Sequence, residues 1–299
     1  MTDVVGAIEL GGSHVSAARL RLATWRVEGF RRTPLLPEAS RAELIESIVT
    51  TARAGASGTT RVGVATPGPF DYERGISLIR GLGKLESVYG TDLREELVGA
   101  LPGLEPANVA FLNDAEAFAL GEALAGAGRG HSRVLAITLG TGLGSAFLVG
   151  SEIRREGPGI PPDGSLHLVP FRGRPAEDTI SGRALQARHG TDSPSVELLA
   201  GLARDGDTRA RESFETLGAD LGHFLAPWVH GFRPTCLVVG GSIARAWDLF
   251  GDALRRSHDI GTSTLVTRAA RLDEAALRGA AAAAASSLSA TGAPEQHPA

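Results

Sequence analysis

The chain has 299 residues, 42% hydrophobic and 21% charged, with a formal net charge of −4. This is the composition of a globular protein of one large or two medium domains. The acidic balance and scattered cations give no electrostatic case for a nucleic-acid or anionic-membrane partner. A single cysteine, Cys236, excludes internal disulfides and a multi-cysteine zinc site, and its apolar surroundings make it a core residue.

Met1-Thr2-Asp3 leads directly into an apolar strand, without the basic and apolar regions of a signal peptide, and no apolar stretch is long enough to span a membrane. The expected location is cytoplasmic. Val4 to Leu10 reads as a buried strand, and alternation over Ser16 to Leu22 predicts a second strand paired through a hairpin at Gly11 to His14. Helical spacing covers Arg41 to Ala54, with Gly55 as the expected stop. Arg61 to Ala65 is a strand closed by the stiff turn Thr66-Pro67-Gly68-Pro69, and Leu93 to Leu101 is helical. Arg80 to Gly90 reads as a polar, glycine-punctuated loop, in which Lys84 and Glu86 are either specificity contacts or solvated side chains. Val109 to Leu112 is a strand that delivers Asn113-Asp114 to the start of a helix over Ala115 to Ala125.

The second half repeats this plan. Strands over Val134 to Leu139 and Ser145 to Val149 flank a glycine turn, helices follow over Ser195 to Ala203 and Thr208 to Val229, and Cys236 to Val239 is a strand. Leu272 to Arg278, continued by Ala280 to Ala285, predicts a terminal helix. The expected organisation is two α/β lobes: 1–115 plus a terminal helix at about 272–290, and a larger lobe over 116–271, with 291–299 a disordered tail.

Three times an apolar strand runs into a glycine turn: at Gly11-Gly12-Ser13, at Gly140-Thr141-Gly142 and at Gly240-Gly241-Ser242. Glycine lets backbone N–H groups approach an anion closely, and the small hydroxyls of Ser13, Thr141 and Ser242 add donors. Any one such turn is read more simply as the end of a strand. Three together point to a nucleotide clamp and phosphoryl transfer. Asp114, just past a strand end, is placed to accept a proton from a substrate hydroxyl, with Asn113 beside it. Both residues also favour a helix N-cap, and the two roles are compatible.

In order along the chain, Gly63-Val64-Ala65-Thr66-Pro67-Gly68-Pro69, Leu112-Asn113-Asp114-Ala115-Glu116-Ala117 with Gly121-Glu122, and Leu139-Gly140-Thr141-Gly142-Leu143-Gly144 resemble the motifs of the ROK (repressor, open reading frame, kinase) family. Gly206-Asp207 with Leu221-Gly222, Pro234 to Ser242 and Leu277-Arg278-Gly279-Ala280-Ala281 extend the resemblance over nearly the whole chain. It implies the actin-like (ribonuclease H-like) two-lobed sugar-kinase fold, with ATP and Mg²⁺ in a cleft between the lobes, a hexose-type substrate and a homodimer. By the same resemblance, Gly11, Gly12, Ser13, Gly140, Thr141 and Gly142 face phosphate, and Gly240 and Gly241 the adenosine. Asp114 is the general base, and Gly68, Asn113, His167 and Glu177 belong with the sugar.

The chain departs from that family pattern in four places. Leu168 to Ala176 lacks the family's cysteine cluster, so no zinc is expected; Gly164-Ser165-Leu166-His167 stands where members usually carry Glu-x-Gly-His, leaving one carboxylate absent or supplied by Asp163. Glu9 replaces the aspartate that opens the first turn, keeping a carboxylate for Mg²⁺ through water, and His14 replaces a common lysine. These departures leave three readings: an ATP-dependent kinase of a hexose or polyol, a polyphosphate-dependent or cyclitol kinase, and a non-catalytic sugar-binding regulator. A DNA-binding repressor is disfavoured, because the chain starts at the first strand without a helix-turn-helix.

Overall fold

The computed structural model describes residues 3–36, 38–81, 83–190, 193–257 and 263–291, with side chains as far as residue 286. The chain divides into two compact units, 1–121 with 274–299, and 122–273.

The first unit is built on a five-stranded sheet of β1 (Val4–Leu10), β2 (His14–Arg21), β3 (Arg26–Pro34), β4 (Val62–Thr66) and β5 (Val109–Asn113), in the order β3-β2-β1-β4-β5. The pairs β1·β2 and β2·β3 are antiparallel, whereas β1·β4 and β4·β5 are parallel. The central strand β4, Val-Gly-Val-Ala-Thr, is buried throughout, as expected of a parallel strand covered on both faces. Around it lie α1 (Arg41–Ala56), α2 (Leu93–Ala100) and the first part of α3 (Asp114–Ala125). Helix α1 starts at a capping box: Ser40 Oγ accepts from Glu43 N, and Glu43 returns its carboxylate to Ser40 N at 2.8 Å.

The second unit repeats the plan. Its strands β6 (Arg133–Leu139), β7 (Leu143–Val149), β8 (Glu152–Arg154), β9 (Cys236–Gly240) and β10 (Leu265–Arg268) run in the order β8-β7-β6-β9-β10, with β6·β7 and β7·β8 antiparallel and β6·β9 and β9·β10 parallel. Helices α4 (Gly182–His189), α5 (Val196–Arg204), α6 (Thr208–Phe232) and α7 (Trp247–Arg256) accompany the sheet. Its core gathers Phe147, Phe214, Phe232 and Phe250 with the apolar faces of β6 and β9, and Phe147 meets Phe232 edge-on at 5.0 Å. Cys236 is wholly buried there, and burial together with the Glu122 charge pushes its thiol up to about 11.

Helix α8 (Ala275–Thr291) returns to the first unit and packs on β1 and β4 through small residues. A Cβ on Gly63 would collide with the Ala280 carbonyl, and one on Gly279 with the Ala117 carbonyl. The backbones therefore approach as closely as glycine and alanine permit.

Several sequence expectations need correction. Helix α1 does not stop at Gly55 but runs through it to Ala56; the glycine is there because any Cβ would strike the Ala17 carbonyl of β2. The edge strands β3, β8 and β10 and the helices α4 and α7 went unpredicted. Edge strands carry little apolar alternation because one side of the ladder and much of one face stay wet, and β3 is rich in arginine. Within the polar loop over 80–90, Leu85 and Val88 are buried in the first unit's core while Glu86 is exposed. The tail expected over 291–299 lies outside the described residues beyond residue 291.

Replacing Gly63 by valine should therefore force α8 off the sheet at a cost of roughly 3 kcal/mol. Urea unfolding monitored by circular dichroism would register this as a lower midpoint with α8 loosened.

Candidate active site

In the first unit, parallel pairing brings three predicted segments to one edge of the sheet. Glu9 of β1 pairs with Ala65 of β4, and Thr66 pairs with Asn113 of β5. The first glycine turn, the Thr66-Pro67-Gly68 turn and Asn113-Asp114 therefore emerge from neighbouring strand ends, where α/β sheets place ligands. The first turn is closed by Gly11 N donating to the His14 carbonyl at 2.8 Å, with Ser13 exposed at its tip. Gly12 lies against the side chain of Lys84, whose Cδ would stand 2.8 Å from a Cβ added there.

Asn113 and Asp114 divide the work that the sequence left shared. Asn113 is the cap: its Oδ1 accepts from Ala115 N at 2.9 Å and Glu116 N at 3.3 Å. Asp114 forms the first residue of α3, with its Oδ1 accepting from Ala115 N at 2.9 Å. The Asn113 amide also donates to the Tyr72 hydroxyl at 3.2 Å; that hydroxyl donates to the Thr66 carbonyl and lies 3.4 Å from where a Gly68 Cβ would be. Tyr72 thus ties the Thr66 carbonyl to Asn113 beside Gly68, a link sequence reasoning missed because Tyr72 belongs to no motif. Burial pushes the Asp114 carboxyl above the ordinary carboxylate range; the Lys84 ammonium and nearby N–H groups oppose the rise, while Glu116 adds to it.

In the second unit, the Gly140-Thr141-Gly142 turn joins β6 to β7, with Gly140 N donating to the Gly142 carbonyl at 3.0 Å and Thr141 exposed. Glu177 braces it: Oε2 accepts from Leu143 N at 2.9 Å, and Oε1 pairs with Arg183 at 2.7 Å. A side chain at position 142 would run into that carboxylate. Glu177 N in turn donates to the His167 carbonyl at 3.1 Å, so the two predicted sugar residues share one segment. Gly241, at φ +81°, sits against the Leu139 backbone, and Ser242 Oγ comes within 3.7 Å of a Gly140 Cβ position. The second and third glycine turns, Glu177 and His167 therefore lie in one neighbourhood of this unit. The Arg183 partner was not foreseen, although Ser181-Gly182-Arg183 closely follows Glu177 in sequence. Among the described residues, no group of three His, Cys, Asp or Glu could hold a metal ion. No described helix is long and apolar enough to cross a membrane.

Two units with the same strand order, each ending strands in glycine turns, make up the actin-like two-lobed fold that solved sugar kinases share. The model of the ROK family matches residues 5–287, and the chain belongs to that family. It is 31% identical over 284 residues to a glucokinase of Streptomyces coelicolor, covering 84% of this chain and 86% of that one. Among solved structures, a ROK family glucokinase from Streptomyces griseus in complex with glucose and AMPPNP shares the fold, with TM-score 0.76, 24% identity, and 93% and 98% of the two chains covered. An inorganic polyphosphate/ATP-glucomannokinase from Arthrobacter aligns with TM-score 0.69 and 26% identity, over 95% of this chain and 99% of that one.

The raised Asp114 value has a stability consequence. The folded chain holds this proton more tightly than the unfolded chain, so the group's contribution to stability falls as pH rises from its unfolded value, near 3.9, through its folded one. Asp114→Asn, which keeps the Oδ1 acceptor without the charge, should raise the Tm at neutral pH and leave it nearly unchanged in acid, as read by paired thermal melts.

Proposed function

We propose that this chain, an enzyme of the carbohydrate-kinase class, transfers the γ-phosphoryl group of ATP to a hydroxyl of a hexose or hexose-like polyol. The observation that carries the reading is Asp114: a partly exposed but desolvated carboxylate on the first residue of the helix that Asn113 caps, at the sheet edge from which the unit's glycine turn also emerges. In the step, the acceptor oxygen attacks the γ-phosphorus, its proton passes to an Asp114 oxygen, and ADP leaves with the electrons of the broken P–O bond. Asn113 and Gly68 hold the acceptor beside Asp114, and the family resemblance supports His167 and Glu177 as further sugar-binding residues. Gly11, Gly12, Ser13, Gly140, Thr141 and Gly142 supply backbone and hydroxyl donors to phosphate, and Gly240 and Gly241 leave room for adenosine.

Mg²⁺ supplies charge neutralisation of the phosphates when bound. A partly exposed carboxylate, Glu9, stands at the end of β1 beside the first turn; one carboxylate acting through water suits an ion that arrives on nucleotide phosphates. Use of ATP favours a cytoplasmic setting, and the family resemblance supports a homodimer. The 31% identity to a glucokinase favours glucose as the first acceptor to try, and Gly164, in place of a sugar-binding glutamate, favours including cyclitols.

A coupled assay over glucose, mannose and cyclitols, with ATP-Mg or polyphosphate as donor, should find turnover with ATP. Asp114→Ala should lower kcat by ~10²- to 10⁴-fold. An Asp114→Ala enzyme with wild-type kcat would remove Asp114 as the base. Tight sugar binding without transfer from either donor would make the protein a sensor.

A further inference from the structure

Of the thirty lysines and arginines in the chain, twenty-nine are arginine, and the single lysine is Lys84. It stands in the first unit's site rather than on an outer face. Its Cδ, Cβ and Cγ lie 2.8, 3.6 and 3.8 Å from the position of a Gly12 Cβ, so the aliphatic stem rests directly on the first glycine turn. The segment that carries it is held on both sides. Leu85, at φ +54°, and Val88 are buried in the core. The Glu86 carboxylate accepts from Gly83 N at 2.6 Å, and Ser87 Oγ donates to the Ala39 carbonyl at 2.8 Å. Glu86, which the sequence left as either a specificity contact or a solvated side chain, is thus a brace for the segment that carries Lys84.

Two charged groups bear on Asp114: Glu116, from the same helical turn, and the Lys84 ammonium, from the opposing segment. Burial and Glu116 favour the protonated acid, a form that cannot accept a proton from a substrate hydroxyl. Lys84 is the positive charge set against them. A lysine suits this position better than arginine, because a compact ammonium on a flexible stem fits over a tight turn and leaves the carboxylate free of a bidentate fork.

We propose that Lys84 is a positioning residue of the transfer reaction: reaching over the first glycine turn, its ammonium holds Asp114 as the proton-accepting carboxylate. The inference rests on Asp114 being the base, and it also predicts a direct coupling between the two groups that is observable without turnover.

Two experiments separate these layers. In the pH profile of kcat/KM, Lys84→Met should move the acid limb to higher pH, with a loss on the order of tenfold at the low-pH end that shrinks towards the plateau, and Lys84→Arg should return the limb towards wild type. A loss by the same factor at every pH in Lys84→Met would reduce Lys84 to packing and overturn the proposal. Independently, reductive methylation with ¹³C-formaldehyde labels Lys84 and the terminal amine and no other residue, and it preserves the charge. In the NMR spectrum of the labelled full chain, the Lys84 resonance should follow a titration upward of pH ~4 that is absent in Asp114→Asn. The same titration in Asp114→Asn would overturn the coupling. If no acceptor supports turnover, the proposed function fails while the NMR experiment still decides the pairing.

Discussion

Parallel pairing of β1 with β4 and of β4 with β5 is the constraint from which the first unit's chemistry follows. Strands that run in the same direction end on the same side, so their exits are neighbours however far apart they lie in sequence. The Glu9 to Ala65 and Thr66 to Asn113 registers bring segments some fifty residues apart within reach of one small molecule. The second unit obeys the same rule through β6 and β9, which set Gly140 beside Ser242. The tight seat of α8 on β4, where Gly63 meets Ala280, supports the first sheet on the face opposite α1 and keeps those exits in register.

Within this frame the site is made of groups that are costly to keep. A carboxylate at the start of α3 is desolvated by its surroundings and opposed by Glu116, whereas the proposed base role requires it to be ionised at working pH. Favourable dipoles at the helix start and the Lys84 charge work against that cost. Asn113 performs the structural capping that Asp114 would otherwise have to do, which leaves the aspartate's remaining lone pairs for chemistry. Neighbouring polar residues of similar capping preference thereby acquire different tasks from a difference of one position along the helix.

The two glycine turns that the family resemblance assigns to phosphate are supported in opposite ways. The first carries a cationic side chain across Gly12. The second is buttressed by an anion, Glu177, which accepts from the turn's outgoing backbone and is itself neutralised by Arg183. Absence of a side chain at Gly12 and Gly142 makes room for these partners as much as for a ligand, so the glycines serve packing and recognition together.

Much of the architecture was legible locally. Largely apolar runs at Val4 to Leu10, Val134 to Leu139 and Cys236 to Val239, the glycines that follow them and the Asn113-Asp114 pair at a strand end marked the central strands, the repeat and most of the candidate site, because burial on both faces and a missing Cβ leave marks within a few residues. The edge strands β3, β8 and β10 left no such mark, since their pairing is satisfied by a neighbour and their outer faces by water. Gly55 shows the same limit from the other side: read locally it ends a helix, whereas in the fold it admits the Ala17 carbonyl. The sequence by itself determined which residue types reach the strand ends. Only the tertiary structure decided that Asn113 caps while Asp114 stays available, that Glu177 braces a turn, and that the chain's one lysine lies over Gly12, because each depends on a partner brought in by long-range packing rather than by periodicity.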